Sequence, residues 1–585
     1  MHRSLLGLVL LLFIAPLSRA QEIEPVWGGS IGSSGGDVVY DVTLDDDGHV
    51  YAVGIFEGTT DMDPGAGVYE LTSAGSADLF VSKFDTSGTL IWSKAMGGTY
   101  ADGSSATVAV DAAGNVYITG GFIGTADFDP GPGTFTMTAA TTGQTDIFIA
   151  KLDANGDFVW AKGIIGGTWW DNSYDIAIDP TGNVVVVGRF YYQGGPRDFD
   201  PGPDTFYLTA GHEDIFVLKL NTDGEFVWAV AFGTAPDESR GYSLAIDDDG
   251  SILTTGYFRG NVDFDPDSVD TYNMTSAGTW NVFYHKMDAD ANFLWARSLP
   301  VTTTTYYNDG SYGSKITLDP DGNLYATGRF SGTIDFDPGA GSWPLTSTGD
   351  NDIYLLKFTP TGALVWARSM GGGGYDEGLC LVAANGELYL SGIFATTADL
   401  DPGAGVLSQT SAGDADMFVL ELDTAGALIN GMSMGGSSID RANSMKASAS
   451  GAMYVAGWFG STTDLDPGTG TLSATATGAY DGFLVKLADA DLTAIDEGIA
   501  QYAIALHPNP ASDRIFLMPQ AGMIGARAVV ELFDVTGKCV HREQVNALST
   551  LHVMDLPPSM NNGMYHVVVT VTGQAPQQAR LLVQR

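Results

Sequence analysis

Seven copies of Asp-x-Asp-Pro run along this chain, beginning at Asp61, Asp127, Asp198, Asp263, Asp335, Asp399 and Asp464. Their spacings are 66, 71, 65, 72, 64 and 65 residues. A period of that size constrains the fold before any local pattern does. Each copy must be one supersecondary unit that buries its apolar faces only against its neighbours.

The unit reads as strands. The runs Phe226 to Ala231, Tyr242 to Ile246, Ile252 to Phe258 and Asn281 to Met287 are aromatic and β-branched, and turn residues separate them. Asp111-Ala112-Ala113-Gly114 and Asp153-Ala154-Asn155-Gly156 put Asp first and Gly last. Asp caps such a turn through its side chain, and Gly takes the positive-φ position before the next strand. Two hairpins per repeat give four antiparallel strands, the content of a propeller blade. The last repeat ends at Phe483 to Leu487 with no tryptophan strand after it, and Pro25-Val26-Trp27-Gly28-Gly29 supplies that strand from the N-terminus. The tryptophan position then reads Trp27, Trp92, Trp160, Trp228, Trp295, Trp366 and Asn430. The expected fold is all-β: a seven-bladed β-propeller over residues 21–488 whose N-terminal strand closes the last blade, leaving no open edge there.

Three motifs carry a family resemblance: Gly-Asn-Val-Tyr-x-Thr-Gly at Gly114 to Gly120, Asp-Ile-Phe-Val-x-Lys-Leu at Asp214 to Leu220, and Trp-Ala-Lys-Gly-Ile-Ile-Gly at Trp160 to Gly166. Over residues 25–488 the chain resembles the bacterial seven-bladed β-propeller repeat family. That resemblance speaks for fold and little for function, because propellers host unrelated activities.

Residues 1–20 read as a signal peptide: His2 and Arg3, an apolar run from Leu5 to Ile14, then Ser18-Arg19-Ala20 with cleavage between Ala20 and Gln21. The apolar run is too short for a membrane span. The two cysteines, Cys380 and Cys539, fall in different domains and are expected as unpaired buried thiols. The formal net charge is −44, and the last 84 residues hold 6 basic and 5 acidic groups, so the acid lies in the repeats. Such a field repels nucleic acid and anionic membranes and attracts cations or basic partners.

After a linker at residues 489–501, residues 502–585 hold strand-like runs at Ala528 to Phe533, Tyr565 to Val571 and Ala579 to Val583, expected as a small immunoglobulin-like β-sandwich. The order Pro508-Asn509-Pro510-Ala511, Phe533 to Gly537-Lys538, Gly563-Met564-Tyr565 and a final Arg585 is similar to the type A C-terminal sorting domain of the type IX secretion system. His507 stands where that family more often has tyrosine or phenylalanine. The resemblance implies partnership with the type IX machinery, export across the outer membrane of a Gram-negative bacterium, and a secreted or surface-held product.

Catalytic motifs are missing from the sequence: no His-Glu-x-x-His, and no Gly-x-Gly-x-x-Gly between strand and helix. A triad assembled from distant repeats stays open. Paired carboxylates in oxygen-rich loops suit calcium, and Asp61, Asp63, Asp127, Asp129, Asp335 and Asp337 are the candidate ligands. The loops bearing them fall on one face of the disc together with the Gly-Gly-x-x-x-Asp loops. Trp169, Trp170, Tyr191, Tyr192, Tyr306 and Tyr307 collect on that face and are the candidate sugar-binding rings. The expected role is binding of glycan, protein or cell surface. The alternatives are an extracellular polysaccharide lyase or hydrolase, and a structural surface protein.

Overall fold

In the computed structural model the described residues are 23–267, 269–276, 280–299 and 311–489, and, in the C-terminal part, 505–507, 514–518, 524–534, 538–549, 552–558, 560, 563–571 and 577–583. The chain divides into two compact units, Met1–Asp489 and Ala490–Arg585. Ala20, Gln21, Tyr306, Tyr307, Pro508, Asn509, Pro510 and Gly537 lie outside the described residues.

The first unit is built from antiparallel sheets, and seven of them share one four-stranded plan. Their first strands, called inner here, are Val38–Leu44, Ser104–Val110, Asn172–Ile178, Arg240–Ile246, Tyr312–Leu318, Glu377–Ala384 and Asp440–Ala447. Each packs against the inner strands of the sheets before and after it, and Val38–Leu44 packs against Asp440–Ala447. The N-terminal strand Ile23–Ile31 pairs with Asp481–Asp489 in the seventh sheet, with Ser30 opposite Phe483. The arrangement is propeller-like.

Burial explains the composition of the strands. The third strand of the second sheet, Thr145–Leu152, is buried at every position because sheets cover both its faces. Its middle, Ile147 to Ala150, is accordingly an unbroken apolar run, with Thr145, Asp146 and Lys151 buried near the ends. The cores sit between sheets: Tyr51, Leu79 and Trp92 of the first pack with Ile118 and Phe148 of the second. Phe80 and Phe84 of the first pack with Tyr454 and Leu484 of the seventh.

Tryptophans fasten one sheet to the next. The indole N–H of Trp92 donates to Ala154 O at 3.3 Å, Trp160 to Thr222 O at 3.1 Å, Trp228 to Ala289 O at 3.1 Å and Trp295 to Pro360 O at 3.0 Å. Each acceptor lies in a hairpin turn of the following sheet. The turns behave as their sequence predicts: Asp111 Oδ1 accepts the N–H groups of Ala113 and Asn115, both at 2.9 Å, and Gly114 has φ 80°.

Three expectations change. The Asp-x-Asp-Pro connection is not plain loop, because its first aspartate ends a short strand of a two-stranded ribbon, as in Asn261–Asp263 with Asn273–Thr275. Cys380 is buried, but Cys539 is exposed. The Gly-Gly-x-x-x-Asp loops are expected to place one aspartate alike in each repeat, but Asp237 of the fourth does not stand where Asp171 of the third does. Ser239 does, its N–H donating to Glu213 O as that of Asp171 donates to Thr145 O.

The second unit has a three-stranded sheet (Ala505–His507, Arg514–Met518, His552–Asp555) and a four-stranded one (Cys539–Val545, Ala528–Asp534, Gly563–Val571, Gln577–Val583). Ile515, Leu517, Val530, Leu532, Val567 and Leu581 form its core with Tyr565. Lys538 is exposed, and Gly563 opens the strand that carries Tyr565.

Candidate functional site

Each of the seven inner strands loses register once against its neighbour near its start. The breaks fall between Val39 and Asp41, Ser104 and Thr107, Ser173 and Asp175, Gly241 and Ser243, Gly313 and Lys315, Gly378 and Cys380, and Ala442 and Ser444. A bulge re-aims the extra residue out of the ladder. The residues freed are Tyr40, Ser105 with Ala106, Tyr174, Tyr242, Ser314, Leu379 and Asn443, and all of them line one cavity of about 280 Å³. Thr107, Tyr312, Glu377 and Arg441 complete its wall.

The wall is aromatic on one side and ionic on the other. Tyr242 lies 5.1 Å from Tyr174, 5.5 Å from Tyr312 and 5.9 Å from Tyr257 by ring centroids. The Arg329 guanidinium lies 4.3 Å from the Tyr312 ring and 4.8 Å from that of Tyr375, and its Nε has no hydrogen-bond partner. Glu377 accepts the hydroxyls of Tyr312 at 2.6 Å and Tyr375 at 2.7 Å. Arg441 Nη2 stands 4.0 Å from the same carboxylate, too far for a tight pair. Buried Glu213 takes Arg189 at 2.7 Å and also Arg240. Burial alone would raise the Glu213 pKa, but the two guanidiniums hold it below its ordinary value.

One residue further along the strands a polar layer crosses the same space. Asp175 Oδ2 accepts Lys315 Nζ at 2.8 Å and Ser243 Oγ at 2.9 Å, while Asp41 accepts Ser444 Oγ at 2.6 Å. Burial disfavours the Lys315 charge, but Asp175 and Asp41 raise its pKa overall.

Burial lifts the phenol pKa of Tyr40 to about 12 and raises that of Tyr174. Tyr312 is raised by burial and by the Glu377 charge. At neutral pH these groups are therefore hydroxyls that donate hydrogen bonds, not phenolate bases.

Four of the six sequence-predicted aromatics lie in the described residues, and of these Tyr191 adjoins the wall through Arg189. Trp169, Trp170 and Tyr192 are 45, 52 and 45 % exposed, but Tyr191 is only 8 % exposed and presents no open face. Its ring is wedged 6.1 Å from Trp169 and 6.0 Å from His212, while Tyr192 stacks on His212 at 5.5 Å. The Arg189 guanidinium joins patch to cavity, 5.5 Å from Tyr191 and 5.8 Å from Tyr174.

The candidate calcium ligands each give one oxygen, Oδ1, to their own loop. Asp61 Oδ1 accepts the N–H of Asp63 at 3.1 Å and of Tyr69 at 2.8 Å, and Asp63 accepts that of Gly65 at 2.8 Å. Asp127 with Asp129 and Asp335 with Asp337 repeat the pattern. Among the described residues no group of three or more His, Cys, Asp or Glu side chains could hold a metal ion.

Residues 505–584 match the family described as secretion system C-terminal sorting domain. The tail thus marks the chain for the type IX secretion machinery and for a secreted or cell-surface location. Among the described residues no helix is long and apolar enough to cross a membrane. An uncharacterized WD repeat-containing protein of Acanthamoeba polyphaga mimivirus is 23 % identical over 432 residues, 61 % of this chain and 30 % of its own length. The regulatory protein FlaEY of Caulobacter vibrioides is 27 % identical over 175 residues, 30 % of this chain and 18 % of its own. The chain thus spans less than a third of either relative.

Among solved structures, PorZ, a surface component of the type IX secretion system of Porphyromonas gingivalis, is 11 % identical with a TM-score of 0.24, covering 95 % of this chain and 75 % of that one. An ulvan lyase, a polysaccharide lyase, is 11 % identical with a TM-score of 0.35, covering 73 % and 93 %.

The cavity residues escaped the sequence reading. Five of the bulged positions sit three residues past the Gly-Gly-x-x-x-Asp aspartate, as Tyr40 follows Asp37 and Tyr174 follows Asp171, while Tyr242 and Ser314 sit three past Ser239 and Ser311. That offset, compared across repeats, was the available signal.

Proposed function

We propose that the repeat region is a closed seven-bladed β-propeller, exported by the type IX route, that binds an extracellular glycan in the cavity of bulged residues. The observation that carries this reading is the convergence of seven bulges, one per inner strand, on a single pocket walled by Tyr40, Tyr174, Tyr242 and Tyr312. Flat rings accept the C–H faces of sugars, and convergent hydroxyl, amide and guanidinium groups from Ser314, Asn443 and Arg441 match sugar hydroxyls. Closure is supported by the pairing of Ile23–Ile31 with Asp481–Asp489 and by the hydrogen bond from Asn443 Nδ2 to Val39 O at 3.0 Å.

A lyase or hydrolase at this place needs a positioned proton acceptor. Tyr40, Tyr174 and Tyr312 are held protonated, and Glu377 is engaged by two hydroxyls, so the wall favours holding a ligand over breaking one. The test is a glycan array probed with the purified full chain, followed by calorimetry on the hits. Tyr242→Ala is expected to weaken binding about tenfold, the loss of one good stacking contact of roughly 1.4 kcal/mol. A folded chain that binds no glycan, or binds equally well without the Tyr242 ring, removes this reading.

A further inference from the structure

The third repeat carries two features that the other six lack. Trp169 and Trp170 stand in the two positions before Asp171, and no other repeat has two aromatic residues there. From Phe190 to Asp198 it also spans 8 positions, where the matching stretch of every other repeat spans 5. Tyr192 lies in that insertion. The repeats without these features form the same four-stranded sheet, so the fold does not require them.

Buried Arg197 braces both loops. Its Nη1 donates to Gly195 O at 2.7 Å, and its Nη2 donates to Tyr191 O at 3.0 Å and Gln193 O at 2.6 Å. Its Nε donates to Asp171 Oδ2 at 2.9 Å. One guanidinium thus ties the insertion to the aspartate that follows the tryptophans. The Thr168 N–H joins the loops directly, donating to Gln193 O at 3.4 Å. The position of Arg197 holds threonine or an aliphatic residue in the other repeats, as at Thr60, Ala126 and Val262.

What the brace holds up is aromatic and open. Trp169, Trp170 and Tyr192 are each about half exposed. Tyr192 has one ring face stacked on His212 at 29°. The indole N–H groups of Trp92 and Trp160 fasten neighbouring sheets, but those of Trp169 and Trp170 make no hydrogen bond among the described residues. Clustered apolar surface left in water marks a binding site more often than a structural need. Rings already fixed by a buried arginine lose little freedom when a ligand settles on them.

The rings lead toward the cavity. Trp169 lies 6.1 Å from Tyr191, and the Arg189 guanidinium lies 5.5 Å from Tyr191 and 5.8 Å from Tyr174 of the cavity wall. That continuity with a pocket of convergent hydroxyl and amide groups favours a glycan over an apolar peptide as the occupant.

We propose that Trp169, Trp170 and Tyr192 form an outer subsite for a glycan chain whose inner end lies in the cavity, so that the protein takes an extended oligosaccharide and not a single sugar. The inner end rests on the cavity reading above. Sugar C–H faces stack on the three rings, and the two indole N–H groups and the Tyr192 hydroxyl donate to sugar hydroxyls.

Calorimetry of the full chain with hexagalacturonate, digalacturonate, cellohexaose and cellobiose tests this. In the acidic or the neutral series the hexasaccharide is expected to bind at least about tenfold tighter than its disaccharide. Trp169→Ala and Trp170→Ala should each remove most of that gain and leave the disaccharide unchanged. Tyr242→Ala should instead weaken both lengths. The hexasaccharide should also shield indole emission from acrylamide in the wild type, and less so in Trp170→Ala. No gain with length, or a gain that survives in both tryptophan variants, overturns the outer subsite and leaves the cavity reading standing. Hexasaccharide binding lost in Trp170→Ala but untouched in Tyr242→Ala removes the cavity reading and leaves the three rings as the site. A folded wild type that binds none of the four overturns the proposal.

Discussion

The indole N–H of Trp27 donates to the carbonyl oxygen of Thr86 at 3.2 Å, across 59 residues of sequence. Trp27 lies in the strand that pairs with the seventh sheet, and Thr86 lies in a hairpin turn of the first. Lys486 Nζ reaches the same oxygen at 3.2 Å, and a Cβ at Gly88 would lie 2.4 Å from the indole. One side chain therefore ties the N-terminal strand, the seventh sheet and the first sheet together.

Trp27→Ala is expected to lower the unfolding free energy by about 3 kcal/mol, the low end for truncating a buried aromatic and leaving a void, because Trp27 is only partly buried. Urea unfolding followed by the remaining tryptophans measures it. A loss no larger than that of a surface substitution would show that the first and seventh sheets hold together without this contact.

Stability should fall as pH rises from about 4 to about 7. Burial lifts Asp102 from 3.8 to about 7, with the Asp78 charge adding to the shift, and burial likewise lifts Asp440 to about 7. The folded state therefore keeps protons in that window that the unfolded chain has already lost. The stabilisation is complete below the unfolded value near 3.8 and is lost as pH passes the folded value. Each such carboxyl contributes a slope of about −1.4 kcal/mol per pH unit within its window. Denaturant melts from pH 4.5 to 8 in EDTA check this, with Asp102→Asn flattening the curve. A flat wild-type curve contradicts the assignment.

The repeat made the all-β, propeller-like sheets legible, because each sheet is local in sequence and its strands are bounded by Asp and Gly turns. The pairing of the N-terminal strand was legible from one missing tryptophan run at the C-terminal end of the repeats. The Gly-Gly motif was legible as a pattern but not as a cause. The structure supplies the cause: Gly98, Gly372 and Gly436 abut the ribbon backbone of the next sheet, at Thr125 O, Thr397 O and Thr462 O. The cavity was not legible, because its residues are defined by a bulge, and a bulge is set by how two strands pair and not by either strand alone. The burial of Tyr191 was not legible for a related reason: Arg189, two residues back on its own strand, and His212, just before the strand that pairs with it, close over its ring.

Adjacent glycines should differ sharply in tolerance. A Cβ at Gly372 would lie 2.0 Å from Thr397 O, a backbone atom that cannot move without shifting the ribbon, whereas nothing lies within 4 Å of one at Gly373. Gly372→Ala is expected to cost about 2 kcal/mol or more, and Gly373→Ala to stay within about 0.5 kcal/mol of wild type. Equal melting temperatures for the two variants would mean that the ribbon is not packed as described.

Arg441 and Glu377 set the charge preference of the cavity. At 4.0 Å their contact is long, and Glu377 already accepts two tyrosine hydroxyls, so the Arg441 guanidinium keeps donors for an incoming group. A planar guanidinium suits a sugar carboxylate or sulfate, which it can grip with two parallel hydrogen bonds. Arg441→Ala is therefore expected to weaken a uronate-bearing oligosaccharide about tenfold while leaving a neutral one nearly unchanged, a difference of roughly 1.4 kcal/mol. Glu377→Gln acts in the opposite sense: it removes the competing charge, keeps an acceptor for Tyr312, and should tighten the acidic ligand several-fold. Calorimetry with paired acidic and neutral oligosaccharides, at low and high salt, reads both effects, since only the acidic member should lose affinity as salt screens the pair. If both variants shift the acidic and neutral ligands alike, Arg441 serves the shape of the wall and not its charge.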